Sequence, residues 1–96
     1  MTFQSMNQVQ EANRKAGQHF FDPSTMDFFN SRIESALIQH RFFVTSEQGP
    51  DGIRAYTVRV VYDSARIGSV GGFQGYATKR EAIKAIEAID GSEYDE

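Results

Sequence analysis

The pattern of apolar and polar positions is sharpest between Arg54 and Gly91. Tyr56, Val58, Val60 and Tyr62 alternate with Ala55, Thr57, Arg59 and Val61. A period of two in β-branched and aromatic residues predicts a half-buried strand. The tyrosine–valine side is the more apolar and is expected to face the core, which puts Arg59 on the other side. Asp63, Ser64 and Ala65 are turn formers, so the chain is expected to reverse there into a hairpin. A second strand is expected from about Arg66 to Phe73, with Ile67, Ser69, Gly71 and Phe73 on one side.

A helix is expected next. Thr78 and Glu81 have the spacing of a capping box, in which the hydroxyl takes an orphan N–H and the carboxylate reaches back. Losing such a cap costs roughly 1 kcal/mol. Ala82, Ile83, Ala85, Ile86 and Ile89 then form one stripe, with Lys79, Arg80, Lys84 and Glu87 on the far side. Gly91 suits a left-handed C-cap. One apolar stripe must be buried on something, and the neighbouring hairpin face is the nearest surface.

Upstream the pattern is thinner. Ser5 and Gln8 form a second capping pair, and Met6, Val9, Ala12 and Ala16 follow at helical spacing before Gly17. This helix is expected at the surface, held by few contacts. Asp22 and Pro23 signal another helix start, and a short helix through Asn30 would put Met26, Phe28 and Phe29 on the core. Residues 31–39 fit either a continued helix or a strand from about Arg32, and the strand is preferred. Arg41 to Glu47 reads as a strand with Phe42, Val44 and Ser46 on one face and Phe43, Thr45 and Glu47 on the other. Residues 48–52, with two glycines and a proline, form a loop. The fold class expected is α+β: a three- to four-stranded antiparallel sheet packed by a C-terminal helix, with one or two N-terminal helices. Residues 1–92 form one domain, followed by an acidic flexible tail at 93–96.

Adjacent strand residues point to opposite faces, so Phe42 and Phe43 cannot share a one-sided core. Either residues 5–30 cover the second face, or an aromatic patch is left open as a partner surface or homodimer seam. Coverage is the preferred expectation.

Composition narrows the classes. A chain of 96 residues is long enough for one core without staples, and it has no cysteine for disulfides or thiolate metal sites. No run approaches the roughly 18 apolar residues of a membrane span, and the N-terminus lacks the pattern of a secretory signal. A cytoplasmic location is expected. Formal net charge is −3, and Glu93, Asp95 and Glu96 account for it, which argues against a strongly basic nucleic-acid binder.

Candidate chemistry is sparse. His19 and His40 have no metal-ligand spacing, and no serine sits in a nucleophile elbow. No cofactor, metal site or catalytic residue is expected. Gly68, Gly71, Gly72 and Gly75 precede the last helix, and Thr78, Lys79 and Arg80 at its start would suit an anion. The spacing matches neither phosphate-loop pattern, so close backbone approach is the alternative. Phe43 with Arg41, Arg59 and Arg66 is the candidate partner-binding set, either for a protein or as a stacking platform for nucleic acid.

Several segments together resemble a family of small uncharacterised proteins from phages, prophages and mobile elements. They are Glu11-Ala12-Asn13-Arg14, Gly17 with Phe20-Phe21, Thr25-Met26 with Phe28-Phe29, Ser31-Arg32-Ile33, Phe43-Val44-Thr45-Ser46-Glu47-Gln48, Tyr56-Thr57-Val58-Arg59, and Gly72-Phe73-Gln74 with Tyr76-Ala77. The link Gln39-His40-Arg41 departs from relatives that look rich in glycine and proline there. The resemblance carries no catalytic residue. It implies a mobile-element origin and leaves activity open. Together with the small size, the missing catalytic constellation and the surplus aromatics, it leads to the expectation of a small non-enzymatic binding protein that inhibits or redirects a host protein, with an anti-CRISPR or other anti-defence inhibitor as the concrete form. A nucleic-acid-binding accessory domain is the alternative.

Overall fold

The structure, a computed structural model, describes residues 3–89; the Gly91 cap and the 93–96 tail lie outside these. Strand β3 (Arg54–Val61) forms where the alternation is strongest. It occupies the centre of a four-stranded antiparallel sheet ordered β1-β2-β3-β4, with β1 (Arg32–Ile33), β2 (Phe42–Gln48) and β4 (Ile67–Val70). Val58 lies opposite Val44 on β2 and Val70 on β4. The architecture is thus α+β, and the strand reading of the 31–39 segment holds for the two residues of β1.

The C-terminal helix α3 (Lys79–Glu87) lies on the tyrosine–valine face. Ala82 and Ile86 are fully buried against Phe42, Val44, Val58 and Val60, and Tyr56, Tyr62, Ile83 and Ile89 close the edges. Burying one such isoleucine contributes about 2–3 kcal/mol. The Thr78 hydroxyl accepts from the Glu81 N–H at 3.1 Å, and the Glu81 carboxylate accepts from the Ala77 N–H at 3.3 Å. The capping box therefore closes, with its return bond one residue upstream of the cap.

The second face is covered as well. Helix α1 (Met6–Lys15) starts at Ser5, whose hydroxyl accepts from the Gln8 N–H at 3.2 Å, and Gly17 follows it in the left-handed region (φ 79°). Phe3, Val9, Phe43, Val61 and Ala65 form a buried cluster beneath it, joined by Phe20, Phe21 and Leu37. As expected, α1 lies at the surface and is held by few residues. Val9 and Asn13 are buried, and the Asn13 amide donates to the Ala65 carbonyl at 2.8 Å, which fastens α1 to the β3–β4 turn.

Two other expectations change. Helix α2 (Pro23–Asp27) stops before Phe28. Asn30 then turns left-handed (φ 50°), and the Ser31 N–H bonds back to the Met26 carbonyl at 2.7 Å. Phe28 and Phe29 therefore leave the core and stay 76% and 38% exposed. Strand β4 likewise ends at Val70, because Gly71 and Gly72 take positive φ and leave the pleat; the chain returns to β3 only at the Tyr56–Tyr76 bridge. Phe73 sits on that excursion rather than on a strand. The link from β1 to β2 is a tight turn with Gln39 and His40 both left-handed (φ 52° and 59°), and the Arg41 N–H bonds to the Ile38 carbonyl at 3.1 Å.

Candidate functional site

The second sheet face is divided. At one end it is apolar and sealed by α1. At the other, β2 and β3 place four polar side chains side by side. Thr45 lies opposite Thr57, and Glu47 and Arg59 sit diagonally across from them. Glu47 is fully buried, and its Oε1 accepts from the Thr57 hydroxyl at 2.6 Å. Its Oε2 has no hydrogen-bond partner and lies 3.6 Å from Nη2 of Arg59. The Arg59 Nε–H donates to the Thr45 hydroxyl at 3.0 Å. Burial lowers the Arg59 pKa from its ordinary value, and the Glu47 carboxylate works against that shift.

Gln74 locks this group from above. Its backbone N–H donates to the Thr57 hydroxyl at 2.9 Å and its side-chain amide donates to the Glu47 carbonyl at 2.9 Å. That anchor fixes the neighbouring Phe73 beside Arg59, whose Cζ is 5.7 Å from the Phe73 ring centroid and 5.1 Å from that of Phe20. Each such cation–ring contact contributes about 0.5–2 kcal/mol, more as water is excluded. Phe29 packs 5.2 Å from Phe73, and Phe28 stands edge-on to Phe29 at 4.6 Å. The result is an open cleft of about 330 Å³ with phenylalanine walls, Arg59 in its lining, and Ser24, Thr25 and Ser31 along one side.

The aromatic wall is held in place by backbone and side-chain hydrogen bonds. The Gln48 N–H donates to the Phe29 carbonyl at 2.8 Å, and Nη1 of Arg54 donates to the Asn30 carbonyl at 2.9 Å. The Asn30 amide donates to Gln48 Oε1 at 3.2 Å. The wall on the other side depends on glycine. A Cβ on Gly75 would lie 2.5 Å from the Gly71 carbonyl oxygen, so the 71–75 loop can fold back only without one.

That geometry decides the glycine question in favour of close backbone approach. At the start of α3, the Thr78 hydroxyl already takes the Glu81 N–H that an anion would need. Lys79 and Arg80 are exposed and line a separate groove with Ile83, Lys84 and Glu87.

Of the partner-binding set expected from sequence, only Arg59 lines the cleft. Phe43 is fully buried under Phe20 and Phe21, so a partner cannot reach it. Arg41 is buried at the sheet end, donating to the Val61 carbonyl at 3.2 Å and pairing with Asp63 at 3.3 Å. Arg66 stacks over Tyr62 at 4.4 Å, and Tyr62 packs with the α3 core. Arg41, Arg59 and Arg66 therefore do not join into one surface, and no base could stack on Phe43. Sequence reasoning missed Glu47, Phe28, Phe29 and Phe73 as members of one site. The usable signal was the pair of polar strand positions, Glu47 and Arg59, on a face that also holds Phe43.

His19 meets Asp22 at 2.9 Å, and His40 meets the Phe3 carbonyl at 3.1 Å. Among the described residues, no group of three or more His, Cys, Asp or Glu side chains could hold a metal ion. None of the helices formed by them is long and apolar enough to cross a membrane. What the cleft offers chemically is stacking surface, hydroxyls and guanidinium donors.

The fold and cleft define a small α+β protein with a four-stranded antiparallel sheet, both faces covered and one aromatic recess beside the arginine. The chain belongs to DUF7447, a family of unknown function, whose model matches residues 5–87 and so includes every cleft residue. No curated protein and no solved structure shows a significant match to it.

Proposed function

We propose that this is a small non-enzymatic binding protein that inhibits or redirects a host protein, with the Arg59 cleft as its working surface. Its concrete role in this reading is that of an anti-defence inhibitor, such as an anti-CRISPR, carried by a phage or mobile element and acting in the host cytoplasm. One observation carries the proposal. Phe28, Phe29 and Phe73 are exposed together around a stacked arginine, and hydrogen bonds on both sides hold them there. Aromatic residues and arginine are the side chains that dominate protein–protein binding energy when an interface buries them. Leaving three phenylalanines in water has no folding benefit to offset it.

The test is capture from host extract with the wild-type chain, a Phe28→Ser/Phe73→Ser variant, and Lys84→Glu on the α3 side as a control. The proposal expects a partner bound at micromolar concentration, lost in the double variant and kept in the control. Equal capture by all three, or no partner at all, contradicts it.

A further inference from the structure

The cleft has a polar specificity of its own. Arg59 carries five N–H donors; the one on Nε donates to Thr45, Nη2 faces the Glu47 carboxylate at 3.6 Å, and Nη1 has no acceptor among the described residues. The guanidinium carbon lies 5.1 and 5.7 Å from two phenylalanine ring centroids, on a side chain that is 13% exposed. A planar fork of donors in a water-poor, aromatic-walled space matches the two oxygens of a carboxylate. The volume of about 330 Å³ sets the size of the apolar part. About 150 Å³ is enough for a benzene ring, so the recess has room for one ring and an adjacent carboxylate.

Building on the proposed protein-binding role, we infer that the cleft takes an acidic–aromatic segment of the partner's chain, its ring among Phe28, Phe29 and Phe73 and its adjacent carboxylate on the Arg59 fork. Glu47 has a defined part in this. Its buried carboxylate holds Arg59 from behind and cancels the charge seen at a distance, so recognition acts at short range. The same carboxylate repels the incoming one. Removing its charge while keeping its shape therefore strengthens binding of an acidic ligand relative to a neutral one.

The experiment is an amide and aromatic NMR titration of the full chain. The probes are capped tetrapeptides with glutamate next to phenylalanine, glutamine next to phenylalanine, and glutamate next to alanine. The glutamate–phenylalanine peptide is expected to shift the Phe28, Phe29, Phe73 and Arg59 signals. Each of the other two is expected to bind at least about tenfold more weakly, the loss of one charged hydrogen-bond pair or one ring. In Glu47→Gln the preference for the acidic over the neutral peptide is expected to rise several-fold; in Arg59→Gln the preference for glutamate disappears. Should Arg59→Gln fail to fold, Glu47→Gln decides alone.

Equal binding of the glutamate and glutamine peptides, or no gain in that preference in Glu47→Gln, overturns the inference. Cleft signals that move with protein concentration alone would mean that a second copy occupies the site, and would overturn it as well. If no peptide binds but host-extract capture still depends on Phe28 and Phe73, the acidic–aromatic assignment fails and the binding role survives.

Discussion

The two faces of the sheet solve the same burial problem differently. Under α3 the strands present Phe42, Val44, Val58 and Val60, which meet Ala82 and Ile86, and all six are fully buried. On the opposite face the same strands alternate through Phe43, Thr45, Glu47, Thr57, Arg59 and Val61. Its apolar end is sealed by α1 and Phe3, while the other end is a polar network opening toward aromatic rings. The first face could be built from any well-packed apolar set. The second contains a buried carboxylate, a constrained arginine and exposed phenylalanines, none of which a stable core requires. In the proposed reading the first face serves folding alone, and the second serves folding and recognition together.

The largest expected effect separates them by charge. Glu47→Ala leaves the Arg59 guanidinium and the Thr57 hydroxyl without their acceptor and should cost about 3–5 kcal/mol in urea unfolding. Glu47→Gln keeps an oxygen for Thr57 and should cost less than half of that. If both substitutions cost the same, the network acts by packing alone. On the α3 face, Ile86→Ala should cost about 2–4 kcal/mol through lost burial and a cavity, with the cleft signals undisturbed in NMR. A coupled change in the cleft would show that the faces are not separate.

A smaller effect lies in the hairpin before β2. Gln39 is left-handed and exposed, a conformation that strains any residue with a Cβ. Gln39→Gly should raise stability by about 0.5–1 kcal/mol, read as a higher thermal midpoint. His40 in the same turn is a poorer target, because its ring meets the Phe3 carbonyl and helps hold the N-terminal cover.

The first face was readable from sequence because two strong periods, in β3 and α3, pointed to the same surface. Both ends of α3 were less certain: the capping box formed, while the C-terminal glycine lies beyond the described residues. The cleft was not readable, for three physical reasons. Phe28 and Phe29 were assigned to the core because nothing local shows that α2 ends at Asp27; the left-handed Asn30 that redirects the chain is a tertiary outcome. Phe73 was placed on a strand because the alternation Ile67, Ser69, Gly71, Phe73 continues past the point where two glycines leave the pleat. The Glu47–Thr57–Arg59 group depends on the β2–β3 register, which is set by the loop over residues 49–53 and cannot be counted from either strand alone. Phe43 shows the reverse. Its face needs a cover, and the cover is what removes it from any interface.

The smallest predicted stability change tests the division most directly. Phe28 is 76% exposed and touches the fold mainly through the edge of Phe29. Urea unfolding of Phe28→Ser against wild type should show a difference below about 1 kcal/mol, the size of one aromatic pair. A loss of 2 kcal/mol or more, on the order of a buried large-to-small core substitution, would mean that the ring is part of the core and that the cleft wall is structural.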